Sequence, residues 1–398
     1  MFRTSRARRG ARILLGCALA VAAATAVATG ATASTTTSTA GTDHRPGHQP
    51  RPDRTVVVAV LPTAPSGALT PAAEKGHEAH DRVLRAFHRI AASAGLASTT
   101  QGDYDRNQAL LDLTQGTRQP ASLYGSDLPQ LSLTRTPSGG ATWRFASWPD
   151  VVRRAHRASV TIEPGLLADS VPGGAVYVGP AEPGPAVVAA ADRSGIVGDV
   201  SLGSPDTLVA RVTDAADRSS LVVVDLPAGD PGLDGVADLV RSTGRGDLVI
   251  VLHLPPTPAV RSIGAAPSRF FNQTAIAIHR GGDEPVDAPA LLRSATTRQP
   301  GLVSLIDVAP TALTHLGIDA PDRMRGQVIR SRGEAVASSL EGARRRWHDV
   351  RSGRQAGSLR GIVVGALLVF LVLGAWRGLR AAMAPALRVG GLGLLWWP

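Results

Sequence analysis

The carboxylate most clearly placed to do chemistry lies in LVSLIDVAPTALTHLGI, residues 302–318. An apolar run meets Asp307, and a helical pattern starts directly after it. A carboxylate at a strand-to-helix junction has two uses. It can accept from the free N–H groups of the first helical turn, or it can ligate a metal ion with the same oxygens. Pro310 falls where its missing donor costs little, and Gly317 marks the helix stop, which suits the cap. Other polar clusters carry less. GDPGLDG at 229–235 has the composition of a calcium loop, but its spacing fits no EF-hand. His44 and His48 sit in a polar tether and read as solvated. Gly281 and Gly282 form a turn; no helix follows to complete a phosphate cradle. Trp143, Phe145 and Trp148 in TWRFASW read as a packed strand before they read as a carbohydrate surface.

The elements that must position these groups alternate along the chain. TVVVAVL (55–61) is a β-branched apolar run, the pattern of a strand buried on both faces. Thr70-Pro71 reads as an N-cap with proline at N1, opening a helix to about Ala94 with Gly95 as its stop. Val83, Leu84, Phe87 and Ile90 fall on one face of it. Further strands are expected at AVYV (175–178), SLVVVDL (220–226), DLVIVLHL (247–254), TAIAIH (274–279) and LVSLI (302–306), with helices at 150–158 and 232–242. Apolar strands alternating with amphipathic helices predict an α/β three-layer sandwich around a largely parallel central sheet.

The two ends read as membrane-directing segments. Residues 1–33 join five arginines to an apolar run and end in Ala31-Thr32-Ala33, the pattern of a secretory signal peptide. Cleavage after Ala33 is expected, and a retained N-terminal anchor is the alternative. Cys17, the only cysteine, lies in this segment, so the mature chain has no disulfide. Residues 34–54 form a polar linker. The folded domain is assigned to 55–335, and a basic juxtamembrane segment to 336–360. A transmembrane helix is expected at 361–377, where the uncharged GIVVGALLVFLVLGAW is bracketed by Arg360 and Arg377. Residues 378–398 are a cytoplasmic tail or the start of a second span.

Charge follows this division. The net charge is +10, but the first 33 residues hold +5 and residues 344–398 hold +8, so the body is at −3. A nucleic-acid reading needs a basic stripe on the fold, and the body supplies none; the partners expected are a membrane and an envelope protein or small anionic ligand. A single lysine, Lys75, among many arginines points to a GC-rich bacterial gene.

The stretch RSATTRQPGLVSLIDVAPTALTHLGIDAPDRMRGQVI (293–329) resembles the closing segment of the alkaline-phosphatase-like superfamily, which includes sulfatases, phosphodiesterases and cofactor-independent phosphoglycerate mutases. The matching residues are Asp307, Pro310, Thr311, Gly317, Ile318, Pro321, Met324 and Gly326. Residues 220–256 resemble the region just before it. The resemblance implies a sheet with two divalent ions at its strand ends and a Ser or Thr nucleophile. Carried over position by position, it leaves Asp225, Asp230, His253 and Asp307 as metal candidates, and Thr117 or Ser122, opening a helix, as the nucleophile. It also finds gaps: no acid lies between Val56 and Thr70, where the first strand ends, and no histidine follows Asp225 in DPGLDG. The expectation is therefore a membrane-anchored extracytoplasmic domain that is catalytically silent, binds no cofactor, and acts in binding or envelope regulation. The alternatives are a metal-dependent phosphate- or sulfate-ester hydrolase using two divalent ions in a rearranged site, and a folded part of a larger envelope or transporter-like membrane protein.

Overall fold

In the computed structural model the described residues are 53–62, 83, 85–87, 90, 93–99, 104–119, 128–135, 142–254, 257, 273–283 and 290–332. The signal segment, most of the linker, Leu84, Ser122 and everything after residue 332 lie outside them. Among the described residues no helix is long and apolar enough to cross a membrane.

The first half of the chain contributes β1 (Val56–Leu61), β2 (Ser93–Ser98), α1 (Arg106–Gln115), β3 (Leu133–Arg135), β4 (Trp143–Phe145), α2 (Trp148–Ala155), α3 (Leu166–Ser170) and β5 (Val176–Gly179). A 3-10 turn at Pro185–Ala190 leads to β6 (Ile196–Val197), β7 (Asp199–Leu202), α4 (Leu208–Ala216), β8 (Leu221–Asp225) and α5 (Asp230–Ser242). Then come β9 (Leu248–His253), β10 (Gln273–Arg280), β11 (Ala290–Arg293), β12 (Leu302–Ser304), α6 (Val308–His315) and β13 (Arg330–Arg332).

Ten strands form one sheet in the order β13-β11-β2-β10-β9-β1-β8-β5-β7, with β12 also paired to β2. The pairings make every strand parallel except β10 and β13. A small antiparallel sheet, β3-β4-β6, stands beside it, with Phe145 stacked on Trp148 at 5.7 Å between ring centroids.

Strand β1 shows why the centre holds. Its side chains alternate between faces, and both faces are dry. Val56, Val58 and Val60 join a core with α1, α3, α6 and the 185–190 turn, whereas Val57, Ala59 and Leu61 join another with α4, α5 and Phe87. The sheet is thus the middle of three layers, as the continuous apolar run predicts. Each fully buried valine or leucine contributes ~1.5–3 kcal/mol of transfer energy.

Two elements depart from the sequence expectation. Val83, Arg85 to Phe87 and Ile90 are helical, but Ala94 and Gly95 already lie inside β2, so Gly95 is not the helix stop. A glycine suits that position for another reason. A Cβ on Gly95 would sit 3.0 Å from the Gly301 carbonyl oxygen and 3.3 Å from Leu292 Cβ. The other departure is α1, which carries no clean apolar stripe. It starts where Asp105 accepts from the Gln108 N–H at 2.9 Å, and stops at Gly116 with φ +58°. Its buried Gln108, Asp112 and Gln115 bond one another and, through Gln108 and Gln119, the buried Arg154 of α2.

Replacing Gly95 with valine should destabilise the domain by ~1–3 kcal/mol through overpacking against the Gly301 backbone. Urea unfolding of the variant should show a lower midpoint with an unchanged slope.

Candidate functional site

Parallel strands present their chemistry at their carboxyl ends, and the register fixes what gathers there. Val60 of β1 pairs with Asp225 of β8, and Leu61 pairs with His253 of β9. Asp225 and His253 therefore flank the end of β1, two strand spacings or ~10 Å apart along the sheet. Both are buried, at 3% exposure. The start of α1 lies at the same edge, since the Arg106 guanidinium acts on the Asp225 carboxyl.

Asp225 is closed in by its neighbours. Its Oδ2 accepts from the Tyr177 hydroxyl at 2.8 Å and from the Ala186 N–H at 2.9 Å. The same hydroxyl accepts from the Gly184 N–H at 2.7 Å. A Cβ on Gly184 would stand 2.5 Å from Oδ2, so only glycine lets the turn come this close. The other oxygen, Oδ1, is buried without a hydrogen-bond partner. Burial pushes the carboxyl up to about 6, against the opposing pull of Tyr177, the Ala186 N–H and Arg106. Burial, and then the Asp225 charge, push the Tyr177 phenol far above its ordinary value, so it remains a donor. The unit is a half-satisfied acid under a lid of backbone.

Asp307 is built in the opposite way. It is fully buried. Its Oδ2 accepts from Ser294 Oγ at 2.5 Å and the Ser304 N–H at 2.8 Å, and its Oδ1 from Thr296 Oγ1 at 2.6 Å and the Gln327 N–H at 2.8 Å. A carboxylate offers about four acceptor positions, and all are filled. The cap expected of Asp307, on the first turn of α6, is not made. The side chain makes no bond to the first turn of α6; it closes a capping box with Ser304 at the short 3-10 turn Leu305–Asp307.

The rest of the 307–326 pattern is mechanical too. Thr311 Oγ1 donates to the Asp307 carbonyl at 2.5 Å and accepts from the Ile329 N–H at 2.8 Å. Pro310 is buried in the first turn of α6, and Gly317 ends that helix region with φ +75°. Met324 is buried against Gly116, whose carbonyl accepts from the Arg325 and Gly326 N–H groups at 2.8 and 2.9 Å. Gly326 lies against the Ile306 carbonyl and the Asp307 nitrogen, leaving no room for a Cβ.

The remaining candidates are scattered. Thr117 follows α1 and does not open a helix; its Oγ1 donates to the Arg323 carbonyl at 2.8 Å, locking the closing turn. Asp230 is exposed at the start of α5. Asp307 follows β12, on the side of β2 away from β10, five strand spacings or ~24 Å from β8. Among the described residues no three of His, Cys, Asp and Glu gather closely enough to hold a metal ion. The described residues thus do not fit the two-metal set that the resemblance implies. Tyr177, Gly184 and Arg106 were not among the candidates. The Asp105–Gly116 cap pair could have revealed α1 and with it Arg106; nothing local marks Tyr177, whose partner lies 48 residues away.

Two outcomes follow. A carboxyl with a raised folded pKa binds its proton more tightly than the unfolded chain does, so its stabilisation is full below about pH 4 and is lost as pH rises through about 6. Asp225→Asn keeps an acceptor for Tyr177 and removes the charge. It should flatten the pH dependence between those values and be more stable than the parent by ~2–3 kcal/mol at pH 8, read by urea unfolding. Asp307→Ala strands four donors and should cost at least ~3 kcal/mol, measured the same way.

No protein-family model and no curated protein matches the sequence. Among solved structures, the chain is similar to an alkaline phosphatase superfamily protein from Vibrio parahaemolyticus, at 12% identity and a TM-score of 0.37, over 72% of this chain and 74% of that one. It is also similar to the cofactor-independent phosphoglycerate mutase of Thermoplasma acidophilum, at 9% identity and a TM-score of 0.27, over 66% of this chain and 99% of the other. At this distance neither likeness specifies a ligand or a reaction.

Proposed function

We propose that this chain is a membrane-anchored, extracytoplasmic binding or regulatory protein built on a divergent alkaline-phosphatase-like domain that has lost its hydrolytic chemistry. The observation that carries the reading is the state of Asp225. Its Oδ2 is committed to Tyr177 and Ala186, and Gly184 occupies the approach. Holding a dication requires an ionised carboxylate whose oxygens face the ion. An acid that burial holds toward its protonated form, with backbone packed over it, is poorly suited to that. The closing pattern at 307–326 supports the same reading, because each of its polar groups stabilises the fold. The anchor rests on the apolar run at 361–376 and the export on residues 1–33. The partner is an envelope protein or a small anionic ligand.

A second reading keeps a hydrolase of phosphate or sulfate esters. It is favoured by the placement of Asp225 and His253 on either side of the β1 end. The two readings part on one assay. The purified full chain is given zinc, manganese or calcium and an aryl phosphate or aryl sulfate. The silent reading expects no stoichiometric metal and turnover no different from an Asp225→Asn variant. Bound metal together with turnover abolished by Asp225→Asn would establish the hydrolase.

A further inference from the structure

Far from Asp225, the edge of the large sheet holds an unusual pair. Strands β11 and β13 run antiparallel, and their register sets Arg293 directly opposite Arg330. Residues opposite each other share a face, with Cβ atoms ~4.5–5.5 Å apart, and like charges so placed destabilise the pairing. Both arginines are exposed, and neither pairs with an acid among the described residues. Beside them opens a groove of about 300 Å³ lined by Arg293, Ser294, Ala295, Gln327, Val328 and Arg330. Among the described residues no carboxylate lines it. Asp307 lies behind Ser294, but it is fully buried and its acceptor positions are filled from within. Ser294 is likewise committed to Asp307, which leaves two guanidinium groups and the exposed Gln327 as the polar residues free to meet a ligand.

Charged residues on an edge strand also discourage pairing with other chains. One arginine on β13 would do that. A second, placed opposite on the inner partner strand at the mouth of a groove, adds repulsion without adding edge protection. What would relieve the repulsion is an anion between the two guanidinium planes, whose N–H forks match the geometry of a tetrahedral oxyanion.

We propose that this groove binds a phosphate or sulfate group between Arg293 and Arg330, with the Gln327 amide as a further donor. This gives the ligand half of the reading above a place and a chemistry, but it does not depend on whether the Asp225 edge is silent: β11 lies five strand spacings from β8, ~24 Å.

The test is thermal unfolding and calorimetry of the full chain with inorganic phosphate and, separately, sulfate, against chloride at matched ionic strength. Phosphate or sulfate should raise Tm by about 2–4 °C beyond chloride, as binding to the folded state requires. Arg330→Gln and Arg293→Gln should each unfold at a higher temperature than the parent without oxyanion, lose the anion-specific rise, and bind phosphate at least roughly tenfold more weakly. Arg330→Lys, which keeps the charge but not the fork, should retain the like-charge penalty and bind weakly. No rise beyond chloride in the parent, or an equal rise in parent and glutamine variants, would overturn the proposal. Neither result bears on the metal and turnover assay at Asp225.

Discussion

A carboxylate removed from water must have its oxygens filled by donors, or it moves toward its protonated form. The two strand-end acids of this domain take different routes to that end. Asp307 collects donors from Ser294, Thr296, Ser304 and Gln327, and so ties β11, β12 and the strand β13 region into one unit. Asp225 collects two donors on one oxygen and none on the other, and burial raises it to about 6. One acid stabilises the fold by being complete. The other sits where a fold of this kind does its chemistry and is incomplete.

That contrast separates a closing segment whose polar groups are satisfied within the fold from a strand-end edge whose acid is half satisfied. Met324 and Gly326 dock on the end of α1 through Gly116, and Thr117 locks the Arg323 carbonyl. These contacts depend on shape and backbone hydrogen bonds. The carboxyl edge has no such internal demand. There, the Tyr177 hydroxyl and the Ala186 N–H hold the acid, and the 184–186 turn packs over it.

The core strands were legible because β-branched runs such as VVVAVL and LVVVD have only one comfortable place, between two apolar layers. Strand β2 was not, because SAGLAS lacks that signal; its small residues answer to the close approach of Gly301. Helix α1 was missed because it is buried nearly all round: Ala109, Leu110, Leu111 and Leu113 enter the core while Gln108, Asp112 and Gln115 are buried too and satisfied by one another and, through Gln108, by Arg154, so no amphipathic stripe marks it. Of the candidate residues, Asp225 and His253 were legible as strand ends. The direction in which Asp307 caps was not, because the competing donors come from Ser294, Thr296 and Gln327, outside its own helix. Tyr177 was invisible for the same reason: a phenol in an apolar strand shows its partner only once the sheet is assembled.

The central claim is that Asp225 is held by the protein and not by an ion, and manganese-soaked crystals of the full chain test it most directly. Anomalous diffraction should show no peak between Asp225 and His253, with Oδ2 still on the Tyr177 hydroxyl. A manganese peak at roughly 2.2 Å from an Asp225 oxygen, with the Tyr177 contact broken, would contradict the account.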